Sequence, residues 1–210
     1  MTKMIETLKR NPVIPVMVIE ELEDAIPMAE ALVKGGLDVL EITLRTEVAL
    51  DAIRAIKSAI PDAIVGSGTV IDQKTLQSSL DAGCDFMVSP GMTPGLLKEI
   101  ISDGLNVLPG VSTASEAMTL LEAGFDCLKF FPAESSGGVP LLKSLSGPLP
   151  QITFCPTGGV SLSNFNQYLA LSNVACVGGS WMLDKQSIQS KDWDNITQSC
   201  QDVYSRLENF

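Results

Sequence analysis

The sequence predicts an α/β fold, a single (β/α)8 barrel that spans residues 1–210 and carries an extra helix at its N-terminal end. Short runs rich in Val and Ile alternate eight times with stretches of helical periodicity, which indicates a parallel sheet covered by helices. No GxGxxG motif follows the first strand, which favours a closed barrel over a doubly wound sheet. No linker or low-complexity segment divides the chain, so we expect one domain.

The element pattern gives bounds for each predicted strand and helix. Most predicted helices begin near Ser, Thr or Asp and end at Gly or before Pro, residues that start and stop helices. The predicted strands cover residues 13–19, 39–45, 63–69, 86–89, 106–109, 127–131, 152–155 and 174–177. The predicted helices cover residues 3–10, 21–34, 48–59, 72–82, 93–102, 113–123, 139–145, 163–171 and 192–207.

The composition is that of a globular, acidic protein. Hydrophobic residues make up 45% of the 210 residues and charged residues 19%, so the chain can build a sizeable core. The net charge of −11 argues against nucleic acid or an anionic membrane as a partner. We expect a cytoplasmic protein, because no stretch has the length and apolarity of a membrane span or a signal peptide.

Cysteine and histidine usage narrow the chemistry. The five cysteines are odd in number and lack CxxC spacing, so free thiols in a reducing compartment are expected at Cys84, Cys127, Cys155, Cys176 and Cys200. The chain has no histidine, which removes the usual general base near neutral pH and the usual zinc ligand. We therefore expect no metal and no cofactor, although an oxygen-only Mg²⁺ site stays open.

A lysine lies inside the apolar sixth predicted strand, which reads Cys-Leu-Lys-Phe-Phe-Pro. Lys129 shares its face of the strand with Cys127 and Phe131. Desolvation disfavours an ammonium ion, and a neutral amine can attack a ketone to form a Schiff base. The competing interpretation is a structural lysine that extends its amine to the barrel rim. Taken alone, the pattern does not separate the two.

The second predicted strand, Val-Leu-Glu-Ile-Thr-Leu-Arg, carries charged residues on one face. Glu41, Thr43 and Arg45 share that face, and the aliphatic residues between them share the other. Barrel strands pack their outer face against helices, so the charged set is expected to face the lumen. A structural ion pair is the alternative. With Lys129 facing the same lumen, the catalytic interpretation is favoured.

Glycine pairs follow the seventh and eighth strands, where (β/α)8 barrels commonly bind phosphate. Gly158 and Gly159 come after Thr157, and Gly179 precedes Ser180. Backbone N–H groups and helix N-termini at such turns bind anions without a basic surface. One Gly-Gly pair is more often an ordinary turn, but two at these positions indicate a phosphate site.

Other residues near the strand ends have simpler explanations. Thr69 is expected at the rim after the third strand. Pro90 closes the fourth strand and fixes the geometry of its loop. Phe131 is core or pocket wall, Glu134 is expected to be a solvated charge, and Trp181 is expected to pack between helices.

The combined motifs resemble those of a known family. The stretches VLEITLR, GSGTV, SPG, LPGVST, KFFPAE, FCPTGG and VGGSW are similar to those of bacterial 2-keto-3-deoxy-6-phosphogluconate (KDPG) and 4-hydroxy-2-oxoglutarate (KHG) aldolases. The resemblance covers residues 13–181 and implies a TIM barrel assembled as a homotrimer. The implied substrates are small 2-keto acids and aldehydes: KDPG would be cleaved reversibly to pyruvate and D-glyceraldehyde 3-phosphate, and KHG to pyruvate and glyoxylate.

The resemblance also implies roles for individual residues. Lys129 would form the Schiff base, and Glu41 would be the general acid/base. Arg45 and Thr69 would bind the keto-acid end, and Thr157 would face the aldol hydroxyl. The phosphate would be bound by Gly158, Gly159, Gly179 and Ser180, and the substrate-binding set would be completed by Pro90 and Phe131.

Several alternatives stay open from the sequence. An aldolase for the galactonate epimer would share the site, and Thr157 is the residue expected to separate the two. A sugar-phosphate epimerase or decarboxylase fits a single central lysine poorly. A non-catalytic sugar-phosphate-binding barrel would keep Glu41 and Arg45 as a structural pair. The sequence does not decide between KDPG and KHG, and it indicates self-association only through apolar outer surface such as residues 181–183.

Overall fold

The paired strands of the chain are parallel and form two sheets. The computed structural model describes residues 2–208, with the side chains of residues 4–207. The strands are β1 (Val13–Met17), β2 (Val39–Thr43), β3 (Ile64–Gly68), β4 (Phe86–Val88), β5 (Val107–Leu108), β6 (Gly110–Val111), β7 (Cys127–Phe130), β8 (Thr153–Pro156) and β9 (Val177–Gly179). One sheet has the order β5-β4-β3-β2-β1-β9, and the other has the order β6-β7-β8. The predicted α/β architecture with parallel strands is confirmed.

Helices alternate with the strands along the chain. They are α1 (Thr2–Arg10), α2 (Ala25–Lys34), α3 (Ala49–Ala59), α4 (Gln73–Asp81), α5 (Pro94–Asp103), α6 (Ala114–Glu122), α7 (Gly138–Leu145), α8 (Phe165–Leu169), α9 (Lys185–Ser190) and α10 (Trp193–Glu208). The sequence predicts only a turn where α9 lies, and a 3₁₀ turn at Leu22–Asp24 precedes α2. Within residues 2–208, no helix has the length and apolarity needed to cross a membrane.

Local sequence explains where the helices begin. The Asp72 carboxylate accepts a hydrogen bond from Thr75 N at 2.8 Å, and the Thr75 hydroxyl accepts one from Asp72 N, which closes a capping box at the start of α4. Thr113 and Glu116 form the same arrangement ahead of α6. Each box satisfies N–H groups that the first helical turn leaves without a partner. The strand–helix units are therefore separated by the residue types that the sequence pattern indicates.

Pro109 divides one extended segment into β5 and β6. A proline has no N–H to give to a neighbouring strand. Its carbonyl accepts a hydrogen bond from Lys129 N at 2.9 Å, so the chain passes from pairing with β4 to pairing with β7. At the other edge, an isolated parallel bridge joins Thr157 to Gly178, just beyond β8 and within β9. The two sheets therefore adjoin at both edges.

Several strand ends differ from the prediction by one or two residues, and two of these differences lie beside the predicted site residues. The second strand ends at Thr43 rather than residue 45, because the chain turns there and Arg45 N donates to Thr43 O at 2.8 Å. The last strand is Val177–Gly179 rather than residues 174–177, since its glycines pair with β1. Glycine is a weak strand former, so a sequence pattern ends the strand before it.

Alternate residues of the strands enter two separate cores. Leu40 and Ile42 of β2 pack with the helices in the larger one. The residues of opposite parity face inward, where a smaller cluster contains Met4, Leu8, Ile14, Val39, Phe86, Val88, Leu108, Cys127, Cys155 and Cys176. Helix α1 thus contributes two side chains to the interior. Val39 and Cys127 precede Glu41 and Lys129 by two residues, so this apolar cluster forms the floor beneath those charged residues.

Candidate active site

Lys129 and Glu41 lie side by side in the interior of the fold. Lys129 pairs with Gly110 of β6 and Cys155 of β8, and Glu41 pairs with Gly66 of β3. The two side chains are only 7% and 5% exposed. Lys129 Nζ lies 3.5 Å from Glu41 Oε1, at the long end of hydrogen-bond distances. The structure therefore brings together the amine and the carboxylate that the strand patterns single out.

Aromatic and glycine neighbours shape the space around this pair. Lys129 Nζ lies 5.1 Å from the centroid of the Phe131 ring, within the range of a cation–π contact. Phe131 is half-buried and forms a wall beside the amine, whereas Phe130 is fully buried in the larger core. A Cβ at Gly68 would lie 2.2 Å from Glu41 Oε1. Gly68 therefore leaves the space that the carboxylate occupies.

Thr43 connects β2 to the guanidinium of Arg45. Its buried hydroxyl donates to Met17 O at 2.9 Å and accepts a hydrogen bond from Arg45 Nε at 3.1 Å. Arg45 is exposed, and its terminal nitrogens donate to no residue that the structure describes. A guanidinium held through Nε keeps its fork of terminal N–H groups available for a carboxylate. Sequence parity puts Thr43 on this face but does not indicate the contact.

Thr69 and Pro90 follow the C-terminal ends of β3 and β4. Thr69 has a φ of +67°, a left-handed conformation that is strained for a β-branched residue. Backbone strain of this kind clusters at ligand sites. Pro90 is half-buried, and a Cβ at Gly110 would lie 2.4 Å from its carbonyl carbon. Because the strands are parallel, both residues lie at the same end of the sheet as Arg45, where the strands end.

Two consecutive glycines form the turn after β8. Gly158 and Gly159 have φ values of +99° and +80°, which other residues rarely adopt. The Gly158 carbonyl accepts a hydrogen bond from Glu134 N at 3.0 Å, and the Gly159 carbonyl accepts one from Asn164 Nδ2 at 3.2 Å. Neither glycine N–H donates to an acceptor among residues 2–208. Successive N–H groups in such a turn form a concave site for an anion.

Thr157, Gly179 and Ser180 adjoin that turn. Thr157 is buried at the end of β8, and a Cβ at Gly178 would lie 2.3 Å from its hydroxyl oxygen. The hydroxyl donates to Cys155 O over a long 3.4 Å. Gly179 ends β9, and Ser180 is exposed in the turn that follows. The predicted phosphate-binding residues of the two strands therefore lie at neighbouring strand ends.

Residues 181–183 do not form the exposed apolar surface that the sequence indicates. Trp181 packs on Phe165 of α8 with 5.7 Å between ring centroids, as expected for a packing residue. Met182 is fully buried, because it belongs to the core beneath the loop after β9. Among the side chains of residues 4–207, the exposed large hydrophobic ones are instead Leu22, Ile71, Ile101 and Met118.

Glu134 is exposed, as the prediction of a solvated charge expects, but it also makes contacts that the sequence does not indicate. Its carboxylate accepts a hydrogen bond from Tyr168 Oη, and its stem covers Gly159, where a Cβ would lie 2.6 Å from Glu134 Cγ. Tyr168 is fully buried on α8. Burial, together with the Glu134 carboxylate, raises the pKa of Tyr168 well above its usual value, so the hydroxyl stays protonated and remains a donor. The partners are 34 residues apart, so no local pattern indicates the contact.

The five cysteines carry free thiols, as the sequence predicts. Burial raises the pKa of Cys127, in the floor of the site, to about 12. Burial also raises the pKa of Cys200 to about 12. A thiol that keeps its proton is a poor nucleophile. These two thiols therefore do not compete with Lys129 as nucleophiles near neutral pH.

Comparison with known proteins decides which family has this arrangement. The family model for KDPG and KHG aldolases matches residues 4–199. The chain belongs to the KDPG and KHG aldolase family. The 2-dehydro-3-deoxy-phosphogluconate aldolase of Pseudoalteromonas atlantica (strain T6c / ATCC BAA-1087) is 48% identical over 193 residues, which cover 92% of this chain and 90% of that protein. The KHG/KDPG aldolase of Escherichia coli (strain K12) is 49% identical over 191 residues, which cover 91% of this chain and 90% of that protein.

A crystal structure extends the likeness to three dimensions. It is that of KDPG aldolase from Legionella pneumophila with pyruvate captured at low pH as a covalent carbinolamine intermediate. Its TM-score to this chain is 0.92 at 46% identity, with 95% of this chain and 97% of that chain covered. The resemblance inferred from the motifs is confirmed, and this aldolase is a lyase.

Replacing Gly68 with alanine should disable the site by moving Glu41. The added Cβ would displace the carboxylate, which is the far end of a flexible side chain, so the fold should tolerate the change. We expect aldol cleavage to slow by about 10²–10⁴-fold, the range for a lost acid/base group, in a steady-state assay. Gly147 is exposed and a Cβ there meets nothing within 4 Å, so Gly147→Ala should keep the native rate. Equal rates for the two variants would contradict this arrangement.

Proposed function

We propose that this aldolase cleaves KDPG to pyruvate and D-glyceraldehyde 3-phosphate, and KHG to pyruvate and glyoxylate, through a Schiff base on Lys129. The observation that carries the proposal is the buried Lys129 amine 3.5 Å from the buried Glu41 carboxylate. The E. coli relative named for both activities and the Legionella relative with pyruvate captured as a carbinolamine support it.

Covalent catalysis begins at the Lys129 amine. In its neutral form, Nζ attacks C2 of the keto acid to form a carbinolamine, which loses water to become an iminium. The iminium accepts electrons from the neighbouring carbon when the C3–C4 bond breaks. The Phe131 ring beside Nζ and the apolar floor keep bulk water from the adduct.

Glu41 moves the protons of the reaction. Its carboxylate, directly or through one water, accepts the proton of the C4 hydroxyl as the C3–C4 bond breaks, which releases the aldehyde and leaves an enamine on Lys129. The same group then returns a proton to C3. Addition of water to the iminium releases pyruvate and the free amine. The 3.5 Å separation of the two side chains supports one carboxylate serving both steps.

Arg45 and Thr69 bind the carboxylate end of the keto acid. Thr43 holds the Arg45 guanidinium through Nε, which leaves the terminal N–H groups for a bidentate contact. Thr69 is held in a left-handed conformation after β3, beside Gly68 and therefore close to Glu41. Pro90 and Phe131 supply apolar contact to the same end of the substrate.

Gly158, Gly159, Gly179 and Ser180 bind the phosphate. The unpaired N–H groups of the turn after β8 support this assignment, because they attract an anion without adding positive charge. Such a device suits a chain whose net charge is −11. Thr157 lies between this turn and Cys155, the residue that pairs with Lys129. From there its side chain faces the aldol hydroxyl.

The proposal includes the architecture and the assembly. If β5 and β6 count as one strand across Pro109, the adjoining sheets form a closed (β/α)8 barrel of one domain, with α1 at the end of the barrel where the strands begin.

We infer a cytoplasmic homotrimer, because free thiols suit a reducing compartment and exposed apolar side chains suit a subunit interface. Sedimentation at a mass other than three chains would contradict the trimer.

Borohydride trapping tests the Schiff base. After incubation with pyruvate and sodium borohydride, peptide mass spectrometry should find a reduced adduct on Lys129, because the iminium is converted to a stable amine. Lys129→Met should abolish the adduct, whereas Lys143→Met, at an exposed position on α7, should retain it. Active native protein without an adduct on Lys129 would overturn the proposal.

Glu41→Gln should separate adduct formation from cleavage. The amide cannot accept the hydroxyl proton, so cleavage of KDPG should slow by about 10²–10⁴-fold while the pyruvate adduct still forms. Assays of the native enzyme with KDPG, its galactonate epimer and KHG compare the substrates directly. If Glu41→Gln cleaves KDPG at the native rate, Glu41 is not the acid/base group. If the native enzyme cleaves the galactonate epimer faster than KDPG, the epimer is the substrate.

Thr43→Val should weaken binding of pyruvate through Arg45. Valine has nearly the shape of threonine but can neither donate to Met17 O nor accept the Nε hydrogen bond, and loss of the second contact leaves the guanidinium without its fixed orientation. We expect the pyruvate concentration for half-maximal trapping to rise about tenfold, the effect of one lost hydrogen bond. Thr43→Ser keeps the hydroxyl and should bind pyruvate like the native enzyme. Identical half-saturation for valine and serine would show that Arg45 does not depend on Thr43.

A further inference from the structure

Three successive peptide units in the turn after β8 have their carbonyls bound by other parts of the chain. Thr157 O accepts from Ala133 N at 2.8 Å, Gly158 O accepts from Glu134 N at 3.0 Å, and Gly159 O accepts from Asn164 Nδ2 at 3.2 Å. In a trans peptide the carbonyl and the N–H point in opposite directions. These contacts therefore direct three successive N–H groups, from residues 158–160, away from the protein atoms that bind the carbonyls.

Asn164 is the side chain that fixes the last of these carbonyls. Its Oδ1 accepts a hydrogen bond from Ser161 N at 2.8 Å, which orients the amide so that Nδ2 faces Gly159 O. Aspartate at this position could still accept from Ser161 N but could not donate to the glycine. The structure therefore offers a substitution that removes one contact of the turn and preserves the other.

Glu134 holds the turn from the opposite side. Its Cβ and Cγ cover Gly159, where an added Cβ would lie within 2.7 Å of both atoms. Its carboxylate accepts a hydrogen bond from Tyr168 Oη, and Tyr168 is fully buried, so the side chain has a fixed anchor. Phenylalanine at position 168 would fill the same space and lose only the hydroxyl.

We propose that Asn164 and the Tyr168–Glu134 pair are positioning residues that hold the Gly158–Gly159 turn in its anion-binding form and so determine the preference for phosphorylated aldehydes. None of the three needs to touch the carbon atoms that react. The inference rests on the proposed function, because the phosphate is the group that this turn binds there. Loss of the contacts should weaken binding of the phosphate while the chemistry at Lys129 continues.

Aldol addition of pyruvate to two aldehydes tests this inference. D-Glyceraldehyde 3-phosphate and D-glyceraldehyde differ only in the phosphate, so their kinetic constants separate phosphate binding from catalysis. For Asn164→Asp and Tyr168→Phe we expect the KM for D-glyceraldehyde 3-phosphate to rise about tenfold, the effect of one lost hydrogen bond. The kcat/KM for D-glyceraldehyde and the yield of pyruvate adduct should stay within about twofold of native.

Gln167 supplies the matched control for charge. It is exposed on α8 and has no side-chain contact with the turn. Gln167→Glu adds the same negative charge as Asn164→Asp, so the KM and kcat/KM for both aldehydes should stay at their native values. Tyr168→Phe adds no charge, so its effect on KM reports only the loss of the hydrogen bond that holds Glu134 in place. Equal losses on the two aldehydes, or an unchanged KM for the phosphorylated one in both variants, would overturn the inference. Failure of the proposed function is separate, since the native enzyme would then form no pyruvate adduct.

Discussion

The burial of two opposite charges side by side is the constraint on which the rest of the structure depends. Lys129 and Glu41 are nearly inaccessible to solvent, and a single charge in such a place costs several kcal/mol. Each is therefore compensated by the other. A register shift of one residue in β2 or β7 would turn one of them toward the helices and leave its partner alone. The contact proposed for the chemistry is thus also a strong determinant of how the strands pair.

Anion binding is the second constraint, because the chain is strongly acidic. A net charge of −11 repels the carboxylate and phosphate groups of the proposed substrates. The groups that we propose offset this are local: one guanidinium held by Thr43, and backbone N–H groups oriented by the partners of their own carbonyls. Both act over a few ångströms, where the average charge of the surface matters little. Both also depend on neighbours that do not touch the ligand.

The sequence predicts the parts of this site that depend on local periodicity. The two-residue repeat of a strand predicts that the side chains of Lys129 and Glu41 point inward, and this does not depend on the conformation of the loops. The turn that places Arg45 beyond β2 interrupts the strand repeat locally, so the repeat does not predict it. The Tyr168–Glu134 contact does not follow from any repeat either, since it arises where distant segments meet. The expectation of an apolar outer surface at residues 181–183 is wrong for the same reason. Burial of Met182 depends on tertiary packing that a sequence window does not contain.

The interior is specified by glycines as much as by the residues that are proposed to react. A Cβ at Gly68 would collide with the Glu41 carboxylate, and one at Gly178 would collide with the Thr157 hydroxyl. In each case the glycine lies on the strand next to the functional side chain, so it supplies the volume into which that side chain extends. Interiors are packed densely enough that this volume has no other source. The positions of Glu41 and Thr157 are therefore each encoded by a pair of residues, and a substitution at the glycine displaces the neighbouring side chain.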